Sequence, residues 1–387
     1  MRAAALRRRR TEGVMTVHEA LALTHLGLTR RRLLAGLLRT WLDRPIPEVD
    51  ELPRRDDGEA LVHWACRAAG DTDAAAVAAR LLEAAASTLA AAHAKGQTVV
   101  PLGDPGYPPA LRQIPDPPPA LFVRGEVEAL RWPRIVALVG ARAATTAGVA
   151  MARALATGLA EAGVVVASGL ARGIDSAAHR AALDRGGASI AVLGSSLDRV
   201  YPPEHDTLAD RLAGQGAVVS ELPPGTPPLP FHFPLRNRLI SGLSAAVVVV
   251  EAAEKSGSLI TAMAAAEQGR EVMAVPGPVG PGRHRGGHAL LRDGARLVEG
   301  PEDVLVELGW AEPASARHGS GPVLDPALAR ELGLDPAAPE FSTEEVATAT
   351  GWPISRTISR LAALELEGKI QRIGGGRFQG TRTRVLR

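Results

Sequence analysis

The stretch RIVALVGARAATTAG, Arg134 to Gly148, decides the fold. It runs from an unbroken apolar segment through one glycine into small and hydroxylated residues that open a helical pattern. A strand that is apolar nearly throughout is one buried on both faces. The same succession returns downstream in VVVASG (164–169), SIAVLG (189–194), AVVSE (217–221), AAVVVVEA (245–252) and EVMAVPG (271–277). Helical patterns fill the gaps, at 147–163, 175–186, 204–214, 234–242 and 258–269. Strand and helix in regular alternation predict an α/β fold built on a doubly wound, mostly parallel sheet.

Around this centre the chain changes character. Residues 1–97 are Ala-rich after a basic start, and a small N-terminal helical domain of helix-hairpin-helix or SAM-like type is expected there. In its clearest segment, DTDAAAVAARLLEAAASTLAAAHAKG (71–96), Val77, Leu81, Leu82 and Leu89 lie near one helical face. The stretch PLGDPGYPPALRQIPDPPPALFVRG (101–125) is so rich in proline that it reads as extended connector and turns. The sheet domain is expected over 98–310, followed by a Pro/Gly/Ser-rich linker over 311–338. Residues 339–387 then give helix, turn, helix and a hairpin in KIQRIGGGRFQ, which is winged-helix order. Ser342 and Glu345 have capping-box spacing, and a second helix is predicted from Pro353 to about Glu367.

With 387 residues, 46% of them hydrophobic and 22% charged, the chain has room for two or three ordinary globular domains. Net charge is only +2, yet of the 44 basic residues only Lys95, Lys255 and Lys369 are lysines. A single cysteine, Cys66, excludes an intrachain disulfide framework and a multi-cysteine zinc site. No run approaches the roughly 18 uninterrupted apolar residues that span a bilayer, so a cytosolic protein without a membrane partner is expected. The arginine run in MRAAALRRRRTEGV reads as a solvated tail, with Met15 an alternative start to Met1.

In an open parallel sheet, ligands gather beyond the carboxyl ends of the strands. Here the unusual residues fall at those ends. Gly140 and Arg142 follow the first strand; Ser168, Gly169, Arg172 and Gly173 follow the second. Gly169 and Gly173 are expected to let backbone approach a ligand, and Asp175 to cap the next helix. The stretch FHFPLRNRLISGLS (231–244) supplies Arg236, Asn237 and Arg238, whose guanidinium groups stay charged and must find water or anions. Lys255, Ser256, Gly257 and Ser258 open a helix whose N-terminal amides favour an anion. Several such ends together predict a phosphate-binding, polyanion site. No Gly-x-Gly-x-x-Gly follows the first strand and no Walker sequence is present, so no cofactor is expected. No Ser/His/acid triad pattern stands out, and the pair His284 and His288 in HRGGH is too glycine-rich for a helical metal pair, so neither catalysis nor a metal is expected. His179 is read as a structural partner of Asp175, and Asp198 and Tyr201 as turn-closing residues.

At these residues the chain resembles the DNA-processing protein A (DprA, or Smf) family. The matching runs include VALVGAR, SGLARGIDSAAHRAAL, AVLGSSLDRVYPPEH, SELPPGTPPLPFHFPLRNRLISGLS and GGHALLRDGA, spread over about 101–304. The resemblance implies an extended Rossmann-like domain that binds single-stranded DNA, self-associates as a homodimer and loads the RecA recombinase during natural transformation, without being an enzyme. It also implies that Arg236 and Arg238 lie with Arg142 at the rim of the phosphate pocket. Three departures bear on this. Ala141 stands where the family commonly has a serine, and Pro203 where some relatives have a basic residue that Arg199 or Arg211 would have to replace. Aromatics make up only 3% of the chain, so base stacking cannot be spread widely.

Two other readings compete. One is a nucleoside-monophosphate phosphoribohydrolase of a related Rossmann group, which needs a carboxylate on the helix after SGSLIT, where Ala264 stands and Glu267 lies a turn further on. The other is a duplex-binding regulator working through the winged helix, with Arg356, Arg360, Arg372 and Arg377 as its contacts. That module would equally suit a protein partner.

Overall fold

In the computed structural model, the described residues are 15–43, 59–280, 282–311, 325–335, 340–367, 369–372 and 377–380. The basic start, much of the expected linker and the glycines of the last hairpin lie outside them.

Three helices come first: α1 (Val17–Asp43), kinked at Arg30, then α2 (Glu59–Ala68) and α3 (Ala74–Ala94). By length and composition alone α3 would cross a membrane, although Arg80 and Glu83 interrupt it. Its Ala78, Ala85 and Ala92 are buried where it packs on α1 and α2.

The sheet then forms from β1 (Thr98–Pro101), β2 (Ala120–Gly125), β3 (Ile135–Val139), β4 (Val165–Ser168), β5 (Ser189–Val192), β6 (Ala217–Ser220), β7 (Ala246–Val249), β8 (Glu271–Ala274) and β9 (Arg296–Leu297). Their spatial order is β1-β2-β6-β5-β4-β3-β7-β8-β9. From β6 to β9 every neighbouring pair is parallel, whereas β1 and β2 run antiparallel at one side. All five residues of β3 are buried, because β4 and β7 flank it and helices cover both faces.

The connecting helices are α4 (Pro109–Arg112), α5 (Thr146–Glu161), α6 (Ile174–Asp184), α7 (Asp206–Gln215), α8 (His232–Leu243), α9 (Ser258–Glu267), α10 (Arg285–Arg292) and α11 (Pro301–Glu307). From β3 the chain winds one way through β4, β5 and β6, then returns across the sheet to β7 on the other side of β3. The crevice between the ends of β3 and β7 is therefore the topological switch point.

Two expectations change here. Residues 101–125 are not only connector: their apolar run Ala120–Val123 is fully buried in β2, and Pro101 closes β1 at the sheet edge, where its missing N–H costs no ladder bond. The N-terminal helices also do not form a core of their own. Leu21, Leu23 and Leu26 belong to the same buried cluster as Leu121, Phe122 and Val218, and residues 1–304 make one compact unit.

Residues 305–387 form the second unit. It contains α12 (Pro326–Leu332), β10 (Phe341–Ser342), α13 (Thr343–Thr350), α14 (Ile354–Leu366), β11 (Ile370–Arg372) and β12 (Arg377–Gly380), the strands pairing antiparallel in the order β10-β12-β11. Phe341 and Phe378, with ring centroids 6.0 Å apart, pack with Val346, Leu361 and Leu364 in its small core. The Ser342/Glu345 capping box is formed in both directions.

Candidate nucleic-acid interface

A cavity of about 720 Å³ opens at the switch point. Its floor and walls come from the ends of β3 (Gly140 to Arg142) and β7 (Lys255 to Ser258), from Tyr201, and from the Pro-rich approach to α8 with Phe233, Arg236 and Asn237. Arg142, Arg236 and Lys255 face it against a single carboxylate, Asp175, among the lining residues. A concave site with an excess of fixed positive charge and low-dielectric walls focuses attraction on an anion.

The cations differ in how their donors are used. Arg236 is 5% exposed and gives Nη1 to the carbonyls of Gly169, at 2.8 Å, and Val192. Burial pulls its guanidinium down to about 10, with Asp175 pulling the other way, so it stays charged at neutral pH. Asp175 is raised by its own burial, against the opposing pull of Arg236 and of the Ala171 and Gly169 amides that it accepts. Arg142, by contrast, is exposed and held over the Phe233 ring, its guanidinium carbon 5.4 Å from the centroid. An aromatic ring positions a guanidinium without consuming its N–H donors. Lys255 is exposed as well, and neither it nor Arg142 has an ion-pair partner among the described residues. Beside them Ser256 and Ser258 share a hydrogen bond of 2.7 Å between their hydroxyls, and Gly257 leads into α9 with open space where a Cβ would stand. The amides of that first turn are already engaged: Ser258 N–H reaches the Ser256 hydroxyl at 3.4 Å, and the Leu259 and Ile260 N–H groups donate to the Ser256 and Gly257 carbonyls at 3.1 and 3.2 Å.

The remaining expected residues serve the frame. Arg238 is turned away from the cavity, with Nε 2.8 Å from Asp116 and Nη2 2.6 Å from Glu221; Arg31 of α1 joins the same two carboxylates. Burial lowers its pKa, but Glu221 and Asp116 more than offset this and the net shift is upward. Arg236 therefore lines the cavity with Arg142 while Arg238 does not, because a two-residue step turns a helix by more than half a revolution. Ser168 is fully buried and donates to the Leu138 carbonyl at 2.6 Å, leaving no hydroxyl for a ligand. Gly169 admits the Arg236 guanidinium where a Cβ would stand, and Gly173, at φ 75°, packs on the carbonyls of Ala141 and Arg142. Both glycines answer to protein neighbours, not to a ligand. Arg172 is exposed but bound to Glu204, with Nε–Oε1 2.5 Å.

Other details also differ from the sequence reading. Gly173 is the residue at the N-cap of α6, and Asp175 instead ties the preceding loop together. His179 bonds to Ser189, at 2.8 Å, in place of Asp175. Asp198 accepts from the Gly225 amide and from Lys95, closing its turn. Fully buried Leu170 takes φ 58°, a left-handed conformation that costs of order 1 kcal/mol in a branched residue and is braced by His205 on its carbonyl. Arg211 is paired at the surface with Asp184, at 2.8 Å. Glu267 lies exposed at the last turn of α9, whose cavity-facing residues are Ser258, Ile260 and Thr261. The sequence reading missed Phe233 as the support of Arg142; its only signal was an aromatic in the first turn of the RNR helix.

The family model for DNA recombination-mediator protein A matches residues 98–309, which hold the whole sheet and the cavity. The chain belongs to this family. Among recombination-mediator protein A relatives, Protein Smf of Escherichia coli strain K12 is 44% identical over 289 residues, 72% of this chain and 76% of that one. The X-ray structure of DNA processing protein A from Streptococcus pneumoniae superposes with a TM-score of 0.65 at 37% identity, covering 76% of this chain and 98% of its own. The Helicobacter pylori protein of the same name, whose structure addresses its single-stranded DNA binding mode, gives 0.50 at 29% identity over 55% of this chain and 95% of its own.

Proposed function

We propose that this protein binds single-stranded DNA by its phosphates at the switch-point cavity, as a cytosolic homodimer that passes the strand to RecA, and that it catalyses no reaction. The observation that carries the reading is the pair Arg142 and Lys255, exposed cations with unspent donors on the cavity wall beside the Ser256 and Ser258 hydroxyls. The single-stranded DNA binding of the Helicobacter pylori relative supports it. Asp175, the one carboxylate lining the cavity, is occupied by loop amides, which disfavours the hydrolase reading.

For the second unit, helix, strand, helix, helix and hairpin support a winged helix. Its basic residues are largely engaged internally: Arg360 with Glu331 at 2.6 Å, Arg377 with Glu340 at 3.0 Å, Arg372 with Glu365 and over Phe378, and Arg356 over Trp352. Carboxylates thus pair three of the four arginines and leave Arg356, whose donors the Trp352 ring does not consume, which favours a protein-facing module over a duplex reader.

The test is anisotropy of a labelled oligonucleotide, single-stranded and duplex, across salt concentrations. Neutralising about four phosphates gives a slope of log affinity against log salt near −3 for single strands, and Arg142→Ala/Lys255→Ala should flatten it by one to two units. Arg238→Ala should leave the slope alone while lowering unfolding stability by about 1–3 kcal/mol, since Asp116 and Glu221 then keep only Arg31 as a partner. An unchanged slope in the double variant removes the cavity from the account.

A further inference from the structure

In a chain with so few aromatic residues, two of them meet at the mouth of the cavity. The rings of Tyr201 and Phe233 are 5.4 Å apart between centroids and tilted by 56°, and both line the cavity. Phe233 is hemmed in, with Arg142 lying over its ring and a Cβ at Gly194 coming within 2.9 Å of it, so only a glycine fits beneath. Tyr201 is the outer member of this tilted pair, 37% exposed, with Arg172 close to its hydroxyl.

Cations alone grip the phosphates of a duplex, a single strand or an inorganic polyphosphate with little distinction. A half-exposed ring beside those cations adds a surface that only a flat, unpaired group can cover. Bases in a duplex are already stacked and paired, so they cannot supply one.

We propose that Tyr201, backed by Phe233, stacks against one unpaired base of a bound strand and thereby sets the preference of the site for single-stranded over double-stranded DNA. The inference rests on the phosphate site described above and names its specificity-determining residue. It departs from the turn-closing role that the sequence suggested for Tyr201.

The experiment uses the full chain with three labelled probes of equal length: oligothymidylate, the same backbone with abasic nucleotides, and a duplex. Wild type should prefer oligothymidylate over the abasic strand by about 5- to 150-fold, the range for one stacked base. Tyr201→Phe should keep that preference. Tyr201→Leu should lose it on oligothymidylate, leave abasic binding and the salt slope unchanged, and bind single strand and duplex more nearly alike. Equal binding of the abasic and thymidylate strands by wild type would overturn the proposal, as would a Tyr201→Leu variant weakened equally on both. If Tyr201→Leu fails to fold, the wild-type comparison decides, together with quenching of a 2-aminopurine placed in the strand: quenching on binding supports stacking and its absence sinks it. Wild type that binds neither strand would remove the phosphate site itself, an outcome distinct from indifference to the base.

Discussion

His179 sits fully buried on α6, with Nδ1 2.8 Å from the Ser189 hydroxyl. Ser189 gives its one proton to the Val166 carbonyl at 2.6 Å, so Nδ1 of the histidine must be the donor and Nε2 keeps an unshared lone pair, with no hydrogen-bond partner. Burial, then the positive charges of His205, Arg236 and Arg180, hold the imidazole down to about 3. In the unfolded chain it titrates near 6.5. Between those values the unfolded chain takes up a proton that the folded one refuses. Stability should therefore fall as pH drops from about 6.5 toward 3, by up to roughly 1.4 kcal/mol per pH unit for this residue. Nitrogen NMR of the ring should show a neutral Nδ1–H imidazole at pH 5, and a protonated ring there would refute the assignment. The sequence showed that this residue type lay on a helix after the second strand, but its partner came from a different strand. The two arginines of RNR were hidden in the same way: their separation by 200° around α8 follows from helix geometry, whereas the carboxylates that capture Arg238, Asp116 and Glu221, are remote in the chain.

At the level of elements, the parallel strands were legible because burial on both faces leaves an uninterrupted apolar run, as in β3 and β7. β1 and β2 were not, since prolines surround both, and β1 at the edge tolerates what a central strand would reject. β9 is two residues long, too short to leave a pattern. In the second unit the capping box was visible as spacing alone. Ser342 accepts the Glu345 amide at 3.2 Å while Glu345 accepts the Ser342 amide at 2.7 Å, so two of the unsatisfied donors at the start of α13 are covered by one pair of side chains. Ser342→Ala should cost about 1 kcal/mol, seen as a lower melting temperature of the second unit with the first unchanged. A variant that melts like wild type would mean that the cap contributes nothing.

Over the whole molecule, residues 1–304 and 305–387 have separate cores, and the proposed DNA site lies entirely in the first. Calorimetry should then resolve two unfolding events. A saturating single strand, at 100 times its dissociation constant, should raise the stability of the first by about 2.7 kcal/mol and leave the second in place. A common shift of both would show that the second unit also takes part in binding.

The wall of the cavity from the β6–α8 connection into the first turn of α8 is rich in proline, with Pro228, Pro230 and Pro234 facing the space. Each ring fixes one backbone torsion, so this segment surrenders less freedom on folding than an ordinary loop and keeps its shape whether or not the cavity is filled. The entropy lost when a strand is captured then falls on the nucleic acid, offset by the freedom its released ions gain, and scarcely on the protein. Such a receptor behaves as a rigid mould into which a supple polymer settles, one nucleotide at a time.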